Sequence, residues 1–390
     1  MNVFYILHST GPNEGSTKAF ISLLAKVQER GIKPTVVLPN TDGIYDTLKK
    51  EGIDVVCLNY RLATYPPVKN VKDAVLWLPR LLGRICTNSK ASKQLAKIGS
   101  EKGCQIIHTN VSVTNIGYKA AKLMNIPHVW HIREYGDLIG YHYIFTRSQQ
   151  LNNYKTPKSY TVCITKGIQK HHGLQGYANS RVIYDGAIKA KNAHNELGNE
   201  QKFFLYAGRL ERAKGIEDLL NAYAEYKKRC NAPLPLYIAG DTSVTGYKEH
   251  LKNIIKEYGI EADTVFLGMR DDINDFYKQA KAVIMCSPNE GFGLVTAESM
   301  NAGCLVIGLD TTGTKEQFDN GKEFCGEEIG IRYNNQQELI EHLIEVTNSS
   351  PQVFAKMKEN AQKTVTQLYT DEVNAAQIVQ FYKEIEKAEK

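Results

Sequence analysis

From Ser287 to Ser299 the chain reads SPNEGFGLVTAES and sets two carboxylates, Glu290 and Glu298, on either side of a Gly291-Phe292-Gly293 turn. The turn leads into an apolar helical pattern. The first N–H groups of a helix have no partner within it, and its dipole favours an anion such as a diphosphate. Carboxylates flanking that anion can accept hydrogen bonds from sugar or ribose hydroxyls. A loop carboxylate at Glu290 and a solvated helix residue at Glu298 would fit the same letters, so this stretch alone leaves both readings open. A second constellation, Tyr206 to Gly215 (YAGRLERAKG), follows a strand-like run and precedes a helix. Arg209 offers a planar fork and Lys214 a compact charge, and both could reach one anion faced by the loop backbone. Solvated surface cations, with Arg212 as a third, are the competing reading.

Such loops need strands and helices to aim them. In the first half, apolar runs at Val3–His8, Thr35–Leu38, Val55–Leu58, Ile106–Thr109, His128–Ile132 and Tyr160–Ile164 alternate with helical patterns such as Thr17–Arg30 and Val113–Leu123. The polar stretch 187–201 breaks the pattern and reads as a linker. Five further runs follow, at Phe203–Ala207, Leu236–Ala239, Thr264–Leu267, Ala282–Cys286 and Leu305–Leu309. Alternation of this kind predicts βαβ crossovers and parallel sheets. The reading is an α/β protein with two Rossmann-like domains, 1–186 and 202–350, and helices over 351–390 that cross back to the first domain. Ligands of such sheets bind beyond the carboxyl ends of the strands, where both constellations fall. Two domains around a cleft also predict hinge closure on the ligand.

Taken together, these motifs resemble those of the retaining glycosyltransferases of family 4, which have the two-Rossmann-domain GT-B fold. The resemblance rests on the E-x7-E spacing of Glu290 and Glu298, the G-R-L-x-x-x-K-G motif of Gly208, Arg209, Leu210, Lys214 and Gly215, and the turn glycines Gly291 and Gly293. Glu316, in TTGTKE, stands where the family has an acidic residue near the donor, and Tyr184 to Ala187 resembles the segment that closes the family's first domain. The likeness is strong from about Tyr184 to Asp319 and weak before it. It implies a nucleotide-sugar donor bound by the second domain. Arg209 and Lys214 would neutralise the diphosphate, Glu298 would hold the ribose, and Glu290 would bind the sugar near its reacting end. Backbone groups of Phe292, Gly293 and Leu294 would contact sugar and phosphate. His131, at the end of the run HVWHIRE, matches a family histidine facing the donor sugar. Arg133 and Glu134 could form an ion pair beside the acceptor. Gly15, in GPNEGS after the first strand, stands where the family often has paired glycines meeting phosphate. This chain has Asn13 and Glu14 before it.

No D-x-D pair occurs in the sequence, so the expectation is transfer without a metal or other cofactor, with cations supplied by Arg209 and Lys214. The expected donor is a UDP-sugar ahead of a GDP-sugar. The expected acceptor is a saccharide or lipid-linked saccharide in surface polysaccharide or glycoconjugate assembly. A nucleotide-sugar epimerase of the same fold and a non-catalytic nucleotide-sugar binding protein are the alternatives. An NAD dehydrogenase is disfavoured, because no G-x-G-x-x-G opens either domain. His171-His172 reads as surface, and His8 and His108 have no assigned role.

The 390 residues are 42% hydrophobic and 23% charged, an ordinary globular composition. The segment 61–102 carries nine basic and two acidic residues, a local net of +7 that exceeds the +6 of the whole chain. With Trp77, Leu78, Leu81 and Leu82 it could rest on an anionic membrane or meet a phosphorylated acceptor, or form a solvated helix face. No nucleic-acid motif accompanies the charge. Eight cysteines show no C-x-x-C pair, and Cys57, Cys163, Cys286 and Cys304 fall in apolar runs, as reduced core cysteines of a cytoplasmic protein would. With no apolar run long enough to span a bilayer, any membrane contact would be peripheral.

Overall fold

A computed structural model describes residues 1–12, 14–68, 70–144, 146–190 and 202–390. Most of the expected linker, from 191 to 201, lies outside the described residues. The chain forms two compact units, one made of Met1–Gly186 with Asp371–Lys390, the other of Ala187–Thr370.

The first unit holds strands β1 (Asn2–Ile6), β2 (Lys33–Leu38), β3 (Asp54–Cys57), β4 (Ile106–Thr109), β5 (His128–Ile132), β6 (Ser159–Cys163) and β7 (Ser180–Val182). They form one sheet in the order β3-β2-β1-β4-β5-β6-β7, parallel throughout, with Ile6 level with Val37 on one side and Thr109 on the other. Side chains alternate across the sheet, so Val3, Tyr5 and Leu7 enter one core and Phe4 and Ile6 the other. The first core is closed by the helix Gly15–Glu29 and by the last helix, Asp371–Ala388, which contributes Ala375, Ile378, Val379, Phe381, Tyr382 and Ile385. The second is closed by the helices Trp77–Glu101 and Ile116–Met124.

The second unit repeats the scheme with β8 (Phe203–Ala207), β9 (Leu236–Ala239), β10 (Thr264–Gly268), β11 (Ala280–Met285), β12 (Val306–Leu309) and β13 (Ile331–Tyr333), ordered β10-β9-β8-β11-β12-β13. Phe204, Tyr206, Ile238, Ala282, Ile284 and Ile307 pack under the helices Ile216–Arg229, Tyr247–Glu257 and Gln336–Asn348. β7 and β13, of three residues each, are missing from the sequence reading because so short a run carries no periodicity. The helical tail is shared, Ala355–Leu368 belonging to the second unit and Asp371–Ala388 to the first.

Two expectations fail. Cys57 is exposed rather than buried, because it ends β3, an edge strand with one neighbour whose end residues Asp54 and Cys57 face solvent while Val55 and Val56 are half-buried. His171-His172 is not plain surface. His171 Nε2 lies 2.6 Å from Asp137 Oδ1, and His172 is half-buried with Nε2 3.0 Å from the Glu134 carbonyl oxygen.

Candidate active site

β8 ends at Ala207, and the loop that follows returns through Gly215 to the helix Ile216–Arg229. Gly215 has φ +71°, and a Cβ there would lie 2.1 Å from the Cys286 carbonyl oxygen, so only glycine lets this loop meet the end of β11. The Tyr206 hydroxyl donates to the Arg209 carbonyl at 2.8 Å and fixes the loop's first half. Lys214 Nζ donates to Glu290 Oε2 at 2.7 Å, with both side chains about four-fifths buried. The two motifs found seventy-six residues apart in sequence therefore meet. Arg209 does not join them. Its guanidinium is largely exposed and pairs with Glu211 Oε1 at 3.0 Å.

After β11 the segment holding Glu290 turns through Gly293 into the helix Leu294–Asn301. Gly293 has φ +92°, with Thr296, Gln317 and Glu290 atoms within 3.3 Å of where a Cβ would stand. The start of the next helix, Thr312–Cys325, holds this turn from behind. The Glu290 N–H donates to Thr312 Oγ1 at 3.0 Å, and the Gly313 N–H donates to the Glu290 carbonyl at 2.9 Å. Gln317 Nε2 donates to the carbonyls of Phe292 at 2.6 Å and Gly293 at 2.9 Å. Thr312 has φ +47°, a strained backbone for a β-branched residue, at the point where its hydroxyl grips the turn. The sequence gives neither Thr312 nor Gln317 a role of its own, although Thr312 lies within the TTGTKE run and Gln317 directly follows it. Phe292 is buried with its ring edge-on to Tyr369, the centroids 5.1 Å apart.

Glu298 is half-buried one turn into its helix, and the Tyr277 hydroxyl donates to its Oε2 at 3.3 Å. Burial, then the Glu298 charge, pushes the Tyr277 phenol well above its usual value, so it stays a donor. No sequence pattern marks Tyr277. Leu294 is half-buried beside the turn, and Glu316 lies on the helix Thr312–Cys325, near Tyr369. Ser287 Oγ and Thr296 Oγ1 are buried and make no hydrogen bond to the described residues.

In the first unit, Gly15 is exposed in the first turn of its helix, after Glu14, which accepts from Ser9 Oγ at 2.7 Å. His131 is fully buried, its Nδ1 3.0 Å from His108 Nε2, and His108 Nδ1 is 2.5 Å from the Tyr382 hydroxyl. Its Nε2 has no hydrogen-bond partner among the described residues and lies 3.9 Å from Asp185. Burial, then the Arg133 charge, holds the His131 imidazole well below its usual pKa, so it is neutral. The expected Arg133–Glu134 ion pair is absent. The Arg133 guanidinium pairs with Asp185, while Glu134 Oε1 accepts from the N–H and hydroxyl of Ser112 at 2.8 and 2.6 Å. Adjacent side chains at a strand end point apart, which separates the two charges.

Two parallel doubly wound sheets, with loops at the carboxyl ends of β8 and β11 closing on a lysine and a carboxylate, place this chain in the GT-B class of glycosyltransferase folds. Residues 188–364 match the family described as Glycosyl transferases group 1. The match lies within the second unit. An uncharacterized glycosyltransferase of Methanocaldococcus jannaschii is 25% identical over 303 residues, covering 70% of this chain and 76% of the relative. A D-inositol 3-phosphate glycosyltransferase of Corynebacterium jeikeium is 35% identical over 139 residues, a third of each protein (34% and 33%). Among solved structures, Anabaena HepE in complex with UDP is similar with a TM-score of 0.76 at 19% identity, covering 98% of this chain and 100% of that one.

Proposed function

We propose that the protein is a retaining glycosyltransferase. It moves a sugar from a nucleoside-diphosphate donor, a UDP-sugar ahead of a GDP-sugar, to a saccharide or lipid-linked saccharide acceptor in surface polysaccharide or glycoconjugate assembly. The observation that carries this reading is the meeting of Lys214 and Glu290 at 2.7 Å on a glycine turn that opens a helix. A cation, a carboxylate and a helix N-terminus then serve one ligand that is anionic at one end and hydroxylated at the other. The crystallised complexes of the Anabaena protein with UDP and UDP-glucose support the donor class.

In this mechanism the bond from the anomeric carbon to the diphosphate oxygen breaks, and its electron pair leaves with the diphosphate. Lys214 and Arg209 stabilise the developing charge, and the N–H groups of the turn add to it. Glu290 turns from its lysine toward the sugar, whose carbon gains oxocarbenium character. The acceptor hydroxyl attacks from the face the diphosphate leaves, and its proton passes to the departing phosphate oxygen. Glu298 holds the ribose, held in turn by Tyr277. Phe292, Gly291, Gly293 and Leu294 contact the sugar and phosphate, and Glu316 and Gly15 are the further donor-binding residues of this reading. His131, kept neutral by burial, offers Nε2 to a sugar hydroxyl. The cations are the protein's own, with no metal or other cofactor, and the reaction takes place in the cytoplasm or at the inner face of the membrane.

The test is calorimetric titration with UDP, GDP, ADP and NAD in EDTA, followed by NMR of the anomeric configuration of the product from the donor that binds. Binding of one nucleoside diphosphate and an axial-to-axial or equatorial-to-equatorial outcome is expected. Binding of NAD alone, or an inverted product, would overturn the reading.

A further inference from the structure

The helices Val71–Val75 and Trp77–Glu101 meet at Leu76 and carry five apolar side chains at alternating spacings of four and three residues. All five face water, with Val71 81% exposed, Val75 72%, Leu78 57%, Leu82 53% and Ile85 40%. Residues so spaced share one side of a helix, so they form a stripe roughly 20 Å long. Val68 and Tyr65, also exposed, precede it in the chain, and the Tyr65 ring stacks on Trp77 with centroids 5.5 Å apart. The long helix enters the core only beyond the stripe, where Ala91, Leu95 and Ala96 are buried, so the stripe is not needed to close the unit. Scattered exposed apolar residues are ordinary, but a continuous apolar strip marks a contact surface.

We infer that this stripe is a membrane-insertion face, by which the first unit lies on a bilayer rich in anionic lipid. Charge decides the occupant. Lys72, Lys90, Lys93 and Lys97 are exposed along the same pair of helices, in a segment with a net charge of +7. A second copy of the chain would bring two such segments together, whereas anionic headgroups neutralise them. Arg84 serves the helix instead, donating to the Thr64 carbonyl at 2.8 Å and anchoring the stripe to the unit, and Arg80 pairs with Asp73 at 2.6 Å. Tyr65 and Trp77 have the amphipathic rings that settle at headgroup level. Among the described residues no helix is long and apolar enough to cross a membrane, so the contact is in-plane.

This surface stands on the first unit alone and is independent of the sugar-transfer reading. The full chain supplies its own probe, since it has two tryptophans, Trp77 beside the stripe and Trp130 fully buried. With vesicles of phosphatidylcholine containing phosphatidylglycerol, the protein should float, and lipids brominated on the acyl chain should quench Trp77 over a constant Trp130 background. Phosphatidylcholine alone should bind it weakly. The double variant Leu78→Glu, Leu82→Glu should bind on the order of 100-fold more weakly. Lys72→Glu with Lys90→Glu should cost about tenfold or more. No flotation of the natural protein, no quenching, or equal binding by the leucine variant would overturn the inference. So would a natural protein that sediments as a dimer and becomes monomeric in the leucine variant, which assigns the face to a second copy. If the leucine variant loses its helical circular dichroism, quenching in the natural protein decides the matter.

Discussion

Lys214 and Glu290 are the pair on which residue-scale chemistry turns. Lys214→Ala removes a charge-assisted hydrogen bond worth about 1.5–3 kcal/mol, so UDP affinity should fall about 10- to 100-fold. Arg209→Ala, whose side chain is 69% exposed, should cost about tenfold or less. Neither change opens a core, so both variants should melt near the natural protein, and titration calorimetry beside a thermal scan separates the two effects. The buried histidines of the first unit make a different prediction. Burial depresses His172 to about 4 and His108 to about 3, and holds His128 and His131 well below their ordinary value. The unfolded chain takes up these protons near pH 6.5 while the folded chain refuses them, so the folded state loses stability as pH falls from 6.5 toward 4. Each histidine contributes a slope of about 1.4 kcal/mol per pH unit in that window. Urea midpoints measured between pH 7.5 and 4.5 should drop steeply. Midpoints flat across this range would show that the imidazoles protonate in the folded state.

At the scale of the element, the glycine turn after β11 keeps its shape through the helix Thr312–Cys325. Gln317 is 1% exposed and satisfies two turn carbonyls with one amide. Gln317→Leu would strand both, costing about 2–4 kcal/mol and loosening the turn that presents Glu290 and Gly293. Reduced donor affinity with a lowered melting temperature is the expected result. An unchanged KM for the donor would mean that the turn holds its shape alone. The β8 loop depends in the same way on Gly215, which no other residue can replace beside Cys286.

For the molecule as a whole, the last twenty residues belong to a core laid down by the first. Six buried apolar side chains of Asp371–Ala388 fill one face of the β1 sheet. At about 1.5–3 kcal/mol each, the five larger than Ala375 account for roughly 8–15 kcal/mol, as much as a domain's entire net stability. A chain ending at Thr370 should therefore lose cooperative unfolding of the first unit, while the second, closed by its own helix Ala355–Leu368, keeps its transition. Differential scanning calorimetry of the truncated and full chains would reveal this, and two intact transitions in the truncated chain would refute it.

The sequence by itself determined eleven of the strands, the parallel order implied by their alternation with helices, and the two loops that bear Lys214 and Glu290. Periodicity and glycine turns are local, and a local signal needs no partner to be read. Tertiary structure decided the rest. It placed Lys214 on Glu290 and left Arg209 with Glu211, it recruited Tyr277, Thr312 and Gln317 to hold the site, and it sent Arg133 to Asp185 instead of Glu134. It also turned a count of lysines and leucines into an exposed stripe. Each of these depends on which residues distant in the chain become neighbours, and on which side of an element meets water, and neither is written in spacing alone.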